Sequence, residues 1–240
     1  MNLEFDAHGF PLCEGIFETI KTVDGEVLEL TRHMRRALES SHALGITMPS
    51  EDFLRAEIAR VMREKPHQIG RLRICLYSKG LHISHDEYIE PFSALRLMVH
   101  SQTVNGLVHK QFPYDERFAI LNAAKNEGYD DAILFNSKNE MTETAVANLV
   151  LRIADEWVTP PIISGVLPGI IRGIAIEKCG VKVRPIHISE IPDIQSALSM
   201  ASLRIAQPIS HIGEMKLQIG DSSREMDAAI RGLIQAHSVG

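Results

Sequence analysis

Apolar and polar positions change period several times along the chain, and each change marks an expected element. Ile16-Phe17-Glu18-Thr19-Ile20-Lys21-Thr22 partly alternates, Asp24-Gly25 supplies turn residues, and Val27-Leu28-Glu29-Leu30 returns, which predicts a hairpin over residues 14–30. Thr31 is the expected N-cap of the helix that follows, where Met34, Leu38, Ser41 and Leu44 recur on one face up to Gly45. Ser50, with Glu51 and Asp52 behind it, caps a second helix through about Arg63. Residues 72–77 and 94–100 read as strands of one sheet, joined by the polar segment 78–90.

The character changes at Ser101-Gln102-Thr103-Val104-Asn105-Gly106, whose turn-prone residues predict a linker. The expected division is an N-terminal α+β lobe over 1–101, a linker over 102–107 and a second lobe over 108–240. In the second lobe a helix over 118–127 stops at Gly128, a strand that reads as buried follows over 131–135, and 136–139 forms a turn. Residues 146–152 and 156–159 make a hairpin across Ala154-Asp155, which Pro160-Pro161 ends. Pro168-Gly169 precedes a helix over 170–178 stopped by Gly180, 181–186 and 197–201 are strands, and an amphipathic helix closes the chain over 225–237.

Composition narrows the function classes. The chain has 240 residues, 45% of them hydrophobic, and a net charge of −6, which argues against a nucleic-acid partner because a basic face would be needed. Cys13, Cys75 and Cys179 are odd in number and contain no C-x-x-C pair, so a reducing compartment is expected, and the reading is cytoplasmic. No apolar run of about 18 residues exists to span a membrane, and the acidic start MNLEFDAHGF is not a signal peptide. His82 and His85 have H-x-x-H spacing but lack a third ligand and a helix, so they are read as loop histidines and no metal is expected. Neither Ser164-Gly165 nor Ser78-Lys79-Gly80 is a nucleophile elbow, and residues 122–128 are not a phosphate loop.

The candidate chemistry centres on Lys110 and Glu143, 33 residues apart, with Asn148 five residues further on. An amine can form a Schiff base with an aldehyde cofactor such as pyridoxal phosphate. The ring of that cofactor takes up electrons only when its nitrogen is held protonated, which calls for a carboxylate.

Four blocks in order resemble the fold-type IV pyridoxal-phosphate enzymes, the class IV aminotransferase family, which includes branched-chain and D-amino-acid aminotransferases and 4-amino-4-deoxychorismate lyase. They are Gly15-Ile16-Phe17-Glu18-Thr19-Ile20; His33-Met34-Arg35-Arg36; Lys110 with Glu143 and Asn148; and Thr159-Pro160-Pro161 followed by Gly165-Val166-Leu167-Pro168-Gly169-Ile170-Ile171-Arg172. With a weaker match near Ser202 they span residues 13 to about 208. The resemblance implies an α+β, two-lobed fold in which the C-terminal, cofactor-binding lobe is the larger and forms a pseudo-barrel. It also implies a homodimer.

By residue-for-residue match, the resemblance makes Lys110 the Schiff-base lysine and Glu143 the partner of the ring nitrogen. Asn148 either contacts the cofactor or orients the surroundings of Glu143. Arg36 would grip the phosphate while Arg32 and Arg35 face solvent. The backbone amides of Ile170 and Ile171, at a helix N-terminus, would hold the same phosphate, joined by Ser202. Tyr114 would bond the cofactor's phenolic oxygen, and Phe17 and Glu18 would line the substrate pocket. Two positions depart from the family pattern: Pro113, and Ile171 where relatives often carry Thr.

The implied substrate is a small molecule with an amino group. The short chain and the context Glu143-Thr144-Ala145-Val146-Ala147-Asn148-Leu149 resemble the lyase more than the aminotransferases, so 4-aminobenzoate and pyruvate are the expected products. Transamination, and cofactor binding without catalysis, stay open.

Overall fold

A computed structural model of the chain describes residues 4–78 and 80–239, so Lys79 lies outside them. The elements run β1 (Gly15–Val23), β2 (Glu26–Leu28), α1 (Leu30–Leu44), α2 (Glu51–Glu64), β3 (Ile69–Tyr77), β4 (Gly80–Glu87), β5 (Leu95–Thr103), β6 (Gln111–Phe112), α3 (Asp115–Asn126), β7 (Asp131–Phe135), β8 (Met141–Thr144), β9 (Asn148–Ile153), β10 (Glu156–Thr159), α4 (Ile170–Lys178), β11 (Lys182–Val183), β12 (Ile194–Ala201), β13 (Ile205–Ile212), β14 (Met215–Lys216), α5 (Asp221–Arg231) and β15 (Ala236–His237). They fall into two compact units. One comprises residues 1–90, 109–114 and 234–240, and the other residues 91–108 and 115–233.

The first unit is a sheet in the order β15-β2-β1-β3-β4, with β6 added to β1, and two helices. Strand alternation sends successive side chains to opposite faces. On β1, Ile16 and Ile20 pack with Leu72, Ile74 and Leu76 of β3 against Leu30, Met34 and Ala37 of α1 and Leu54 and Ile58 of α2. Turn residues Asp24 and Gly25 take the left-handed conformation that a tight hairpin needs. Ser50 caps α2 as expected, its Oγ accepting from Phe53 N at 3.3 Å.

The cap of α1 differs from the reading. Its N-cap is Glu29, at φ 54°, and Thr31 lies inside the helix. The buried face runs through Leu30, His33, Met34, Ala37 and Ser41, which leaves Leu38 56% exposed. Segment 78–90 holds a strand rather than a polar connection. Leu81 and Ile83 of β4 pack on the core, and His85 is buried with Nε2 2.7 Å from Thr22 Oγ1 and Nδ1 2.8 Å from Lys65 O. These are the two bonds of a core histidine, not of a loop one.

The second unit is a nine-stranded sheet in the order β11-β10-β9-β12-β13-β5-β7-β8, with β14 on β13. Here β5 pairs in parallel with β13 and β7, so residues 94–100 do not share a sheet with β3. Parallel partners are distant in sequence, which is why proximity along the chain misassigned it. The division of the structure accordingly does not coincide with the linker expected at 102–107. Gly106 there packs against Gly165 so closely that a Cβ on Gly106 would lie 2.2 Å from the Gly165 Cα. At the C-terminus α5 ends at Arg231, and residues 236–237 pair with β2.

Candidate active site

In the first unit, β6 hydrogen-bonds to the start of β1, and Phe17 N donates to Lys110 O at 2.8 Å. This fixes Lys110 beside the odd-numbered face of β1. Its Nζ lies 4.5 Å from the Phe17 ring centroid and 5.4 Å from that of Tyr114. Phe17 and Tyr114 meet edge to face at 5.3 Å, and Phe10 supports Phe17 at 4.6 Å. The amine is therefore flanked by two buried aromatic faces, a setting that orients an ammonium. The Phe112–Pro113 bond is cis, and Tyr114, at 7% exposure, is packed beside Lys110.

Glu18 points the other way. Its Oε1 accepts from Arg36 Nε at 2.9 Å, and its Oε2 from Arg36 Nη2 at 2.5 Å and His33 Nδ1 at 2.6 Å. Alternation thus splits the Phe17–Glu18 pair expected to line one pocket: Phe17 meets Lys110, and Glu18 holds α1. Burial alone would raise the Glu18 pKa, but Arg36 and His33 outweigh it and hold the carboxyl at about 2. Burial pushes the His33 imidazole below its usual value, so the fixed positive charge of this cluster is that of Arg36. The bidentate clamp locks the guanidinium's plane. Arg35 is exposed, as expected, whereas Arg32 is half-buried and leans on Glu29 at 3.3 Å instead of facing solvent alone.

In the second unit Glu143 lies in β8, one residue before its end, and Asn148 opens β9. Glu143 Oε2 accepts from Asn148 Nδ2 and from Leu167 N, both at 3.1 Å. Asn148 Nδ2 also donates to Leu167 O at 3.1 Å, and a Cβ on Gly169 would sit 1.7 Å from Asn148 Oδ1. Glycine at 169 is thus a packing requirement, and the amide of Asn148 ties Glu143 to the loop that starts α4. Gly169 is the N-cap of α4 and contributes no side chain, so the amides of Ile170 and Ile171 lie in the first turn, whose donors lack intrahelical acceptors. Both isoleucine side chains are buried. Ser202 opens the turn between β12 and β13, and Ile205 directly after it has φ 63°, a strained value for a β-branched residue.

Sequence reasoning passed over Arg117. Its Nη2 lies 3.3 Å from Glu143 Oε1, with both side chains nearly fully buried. The available signal was its position: third residue of α3, where a cation opposes the helix dipole and calls for an anionic partner.

The family model for class IV amino-transferases matches residues 15–212. The chain belongs to the class IV aminotransferases. They are pyridoxal-phosphate-dependent aminotransferases and lyases. A Schizosaccharomyces pombe protein named "Putative aminodeoxychorismate lyase" is 24% identical over 173 residues, 68% of this chain and 73% of that protein. Among solved structures, a "Putative 4-amino-4-deoxychorismate lyase" from Legionella pneumophila superposes with a TM-score of 0.84 at 22% identity, covering 91% of this chain and 90% of that one. The Escherichia coli branched-chain amino acid aminotransferase also reaches 0.84, at 18% identity, covering 94% and 90%. A Mycobacterium tuberculosis "hypothetical aminotransferase" in a pyridoxal-phosphate-bound form reaches 0.78 at 15% identity, covering 91% and 88%. At these identities the structures establish the shared fold-type IV architecture of this class IV aminotransferase.

Proposed function

We propose that this chain binds pyridoxal phosphate and acts on a small amino substrate as a 4-amino-4-deoxychorismate lyase, releasing 4-aminobenzoate and pyruvate. The observation that carries the cofactor reading is the buried carboxylate of Glu143, fixed on one oxygen by Asn148 and the Leu167 amide. Such a preset anion suits a protonated ring nitrogen, because it needs no reorganisation when the cation arrives. The remaining donors fit the same group. Lys110 offers an amine between aromatic faces, Arg36 a clamped guanidinium and Ile170 and Ile171 the amides of a helix start. Ser202 offers a hydroxyl in the same turn region as Ile205, whose φ of 63° is a kind of strain that recurs at ligand clamps. Tyr114 supplies the hydroxyl for the phenolic oxygen.

When bound, pyridoxal phosphate supplies an electron sink for the bond that breaks at the substrate's Cα. The residues divide the remaining work. Lys110 would hold the cofactor, and its amine would take the substrate's Cα proton and return one later. Glu143 would keep the ring nitrogen charged, Asn148 would keep Glu143 aligned, and Arg36 and the start of α4 would hold the phosphate. Phe17 packs beside the amine and shields it from water. The lyase assignment is supported by the yeast relative's name over two thirds of this chain. Transamination of a branched-chain or D-amino acid is the second reading, favoured by an equally close fold likeness to the Escherichia coli enzyme. A homodimer in the cytoplasm completes the proposal. Among the described residues no helix is long and apolar enough to cross a membrane.

Borohydride reduction of the purified protein followed by peptide mapping tests the cofactor assignment. The label is expected on Lys110 and absent in Lys110→Ala; label on a different lysine overturns it. Turnover of aminodeoxychorismate, measured beside a panel of L- and D-amino acids with keto acids, then separates lyase from transaminase.

A further inference from the structure

We propose that Arg117 is a positioning residue for Glu143, holding its Oε1 in place and keeping the carboxylate ionised so that a cationic ring nitrogen always meets a negative charge. The proposal rests on the reading of Glu143 as the ring-nitrogen partner. The two oxygens of Glu143 are used differently. Oε2 accepts from neutral donors, Asn148 Nδ2 and Leu167 N, whereas Oε1 faces the Arg117 guanidinium at 3.3 Å.

Arg117 is committed to little else. Its Nη2 also donates to Asn105 O at 3.2 Å, and its Nε and Nη1 have no hydrogen-bond acceptor among the described residues. The side chain is 3% exposed. Leaving guanidinium donors dry and unmatched is unfavourable, so a neutral side chain would suit this position better if packing were its only role. What Arg117 supplies is charge, and among the described residues the carboxylate it pairs with is that of Glu143. Its place in the first turn of α3 adds the positive end of the helix dipole on the same side. Among the described residues Arg172 of α4 also acts on Glu143, and its Nε and Nη2 donate to Thr159 Oγ1 at 3.1 Å and Pro160 O at 2.7 Å. Arg172 therefore acts on Glu143 through its field, whereas Arg117 is in contact with it.

Without that contact, burial would favour the protonated acid. A neutral Glu143 could still accept a hydrogen bond but could no longer hold a cation. Removing Arg117 raises the Glu143 pKa, so the ionised fraction is lost as pH falls through the raised value, and the defect appears on the acid side.

The experiment is a 13C-carboxyl NMR titration of the full-length protein without cofactor, with the Glu143 resonance assigned by its loss in Glu143→Gln. Arg117→Met is expected to raise the Glu143 pKa by about 1–3 units, the range for an opposite charge in contact. Arg117→Lys, which keeps the charge, is expected to restore much of the native value, and it serves alone if the methionine variant does not fold. An unchanged Glu143 pKa in Arg117→Met, or a lysine variant that titrates like the methionine one, overturns the proposal. In parallel, the dissociation constant of pyridoxal phosphate is measured against pH. Arg117→Met should lose about tenfold affinity for each pH unit below the raised pKa, and Arg117→Met in the Glu143→Gln background should show no such slope. A slope that persists without Glu143 also overturns the proposal. If pyridoxal phosphate binds none of these proteins, the functional reading fails, while the carboxyl titration still decides the role of Arg117.

Discussion

Glu18→Gln is the substitution whose consequence follows most directly from the geometry. It keeps the shape of the side chain and removes one charge from a cluster in which both carboxylate oxygens are in use. The carboxyl is held at about 2 against an ordinary 4.5, and a depression of that size corresponds to about 3 kcal/mol of stability at neutral pH. Removing one partner of a buried ion pair costs roughly 3–5 kcal/mol by mutagenesis, so two independent routes agree. Because the folded-state pKa is depressed, this stabilisation is complete above 4.5 and is lost as pH falls from 4.5 towards 2. His33 does not alter the sign, since burial lowers its own pKa and Arg36 carries the balancing charge.

The assay is urea unfolding of native and Glu18→Gln protein over a series of pH values. Its probe must report the first unit, because the single tryptophan, Trp157, lies in the second. Hydrogen exchange of the β1 and α1 amides does so. The native protein should exceed the variant by about 3 kcal/mol at neutral pH, with the gap closing below pH 4.5. Stabilities within about 0.5 kcal/mol of each other, the usual span of a neutral surface change, would refute the reasoning. A gap that widens in acid would do the same.

Arg36→Ala should weaken pyridoxal-phosphate binding by about 1.5–3 kcal/mol, the value of a charge-assisted hydrogen bond, while Arg35→Ala, at an exposed position, should change it little; equal dissociation constants for the two would reject the phosphate assignment. Gly169→Ala should destabilise the second unit by about 1–3 kcal/mol, because the new methyl meets Asn148 Oδ1. Thermal unfolding of Gly169→Ala with and without Asn148→Ala checks this, and strictly additive losses would show that the two positions do not clash.

The elements legible from sequence are those with strong local punctuation. The helix over 170–178 and the strand over 131–135 match to the residue, since Pro168-Gly169 and Gly180 bracket one and the apolar run that follows Asp131 defines the other. What escaped depends on partners distant in sequence. The strand β4 is polar on its outer face, and only its pairing with β3 makes it a strand. The sheet membership of β5 is decided by parallel partners more than 30 residues away. For the proposed site, the ordered blocks nominated Lys110, Glu143, Asn148 and Arg36, because motif spacing can be read along the chain. Their partners did not follow from spacing: His33 belonged to the second block but its bond to Glu18 emerged only with the fold, and Arg117 beside Glu143 carries no spacing rule at all.

Glu143 and Asn148 of the third sequence block form one hydrogen-bonded object with the fourth block, and this explains their spacing. Between Glu143 and Asn148 the chain turns inside the core. Thr144 Oγ1 donates to Asp131 Oδ2 at 2.7 Å, Ala145 N donates to Asp131 Oδ1 at 3.1 Å, and Ala147 N donates to Thr144 Oγ1 at 2.9 Å. The buried Asp131 thus serves as the template for the turn, and its own backbone belongs to β7, beside β8. With the turn fixed, Asn148 can face Glu143 from the neighbouring strand and reach Leu167 on its far side. One residue more or fewer between them would rotate Asn148 to the opposite face of β9. Both the carboxylate and the loop before α4 would then lose their shared amide. Pro168-Gly169 is constrained from the same point, since the amide oxygen occupies the space a side chain at 169 would need. The proposed ring-nitrogen partner and the proposed phosphate-binding helix start are therefore set in register by a single asparagine.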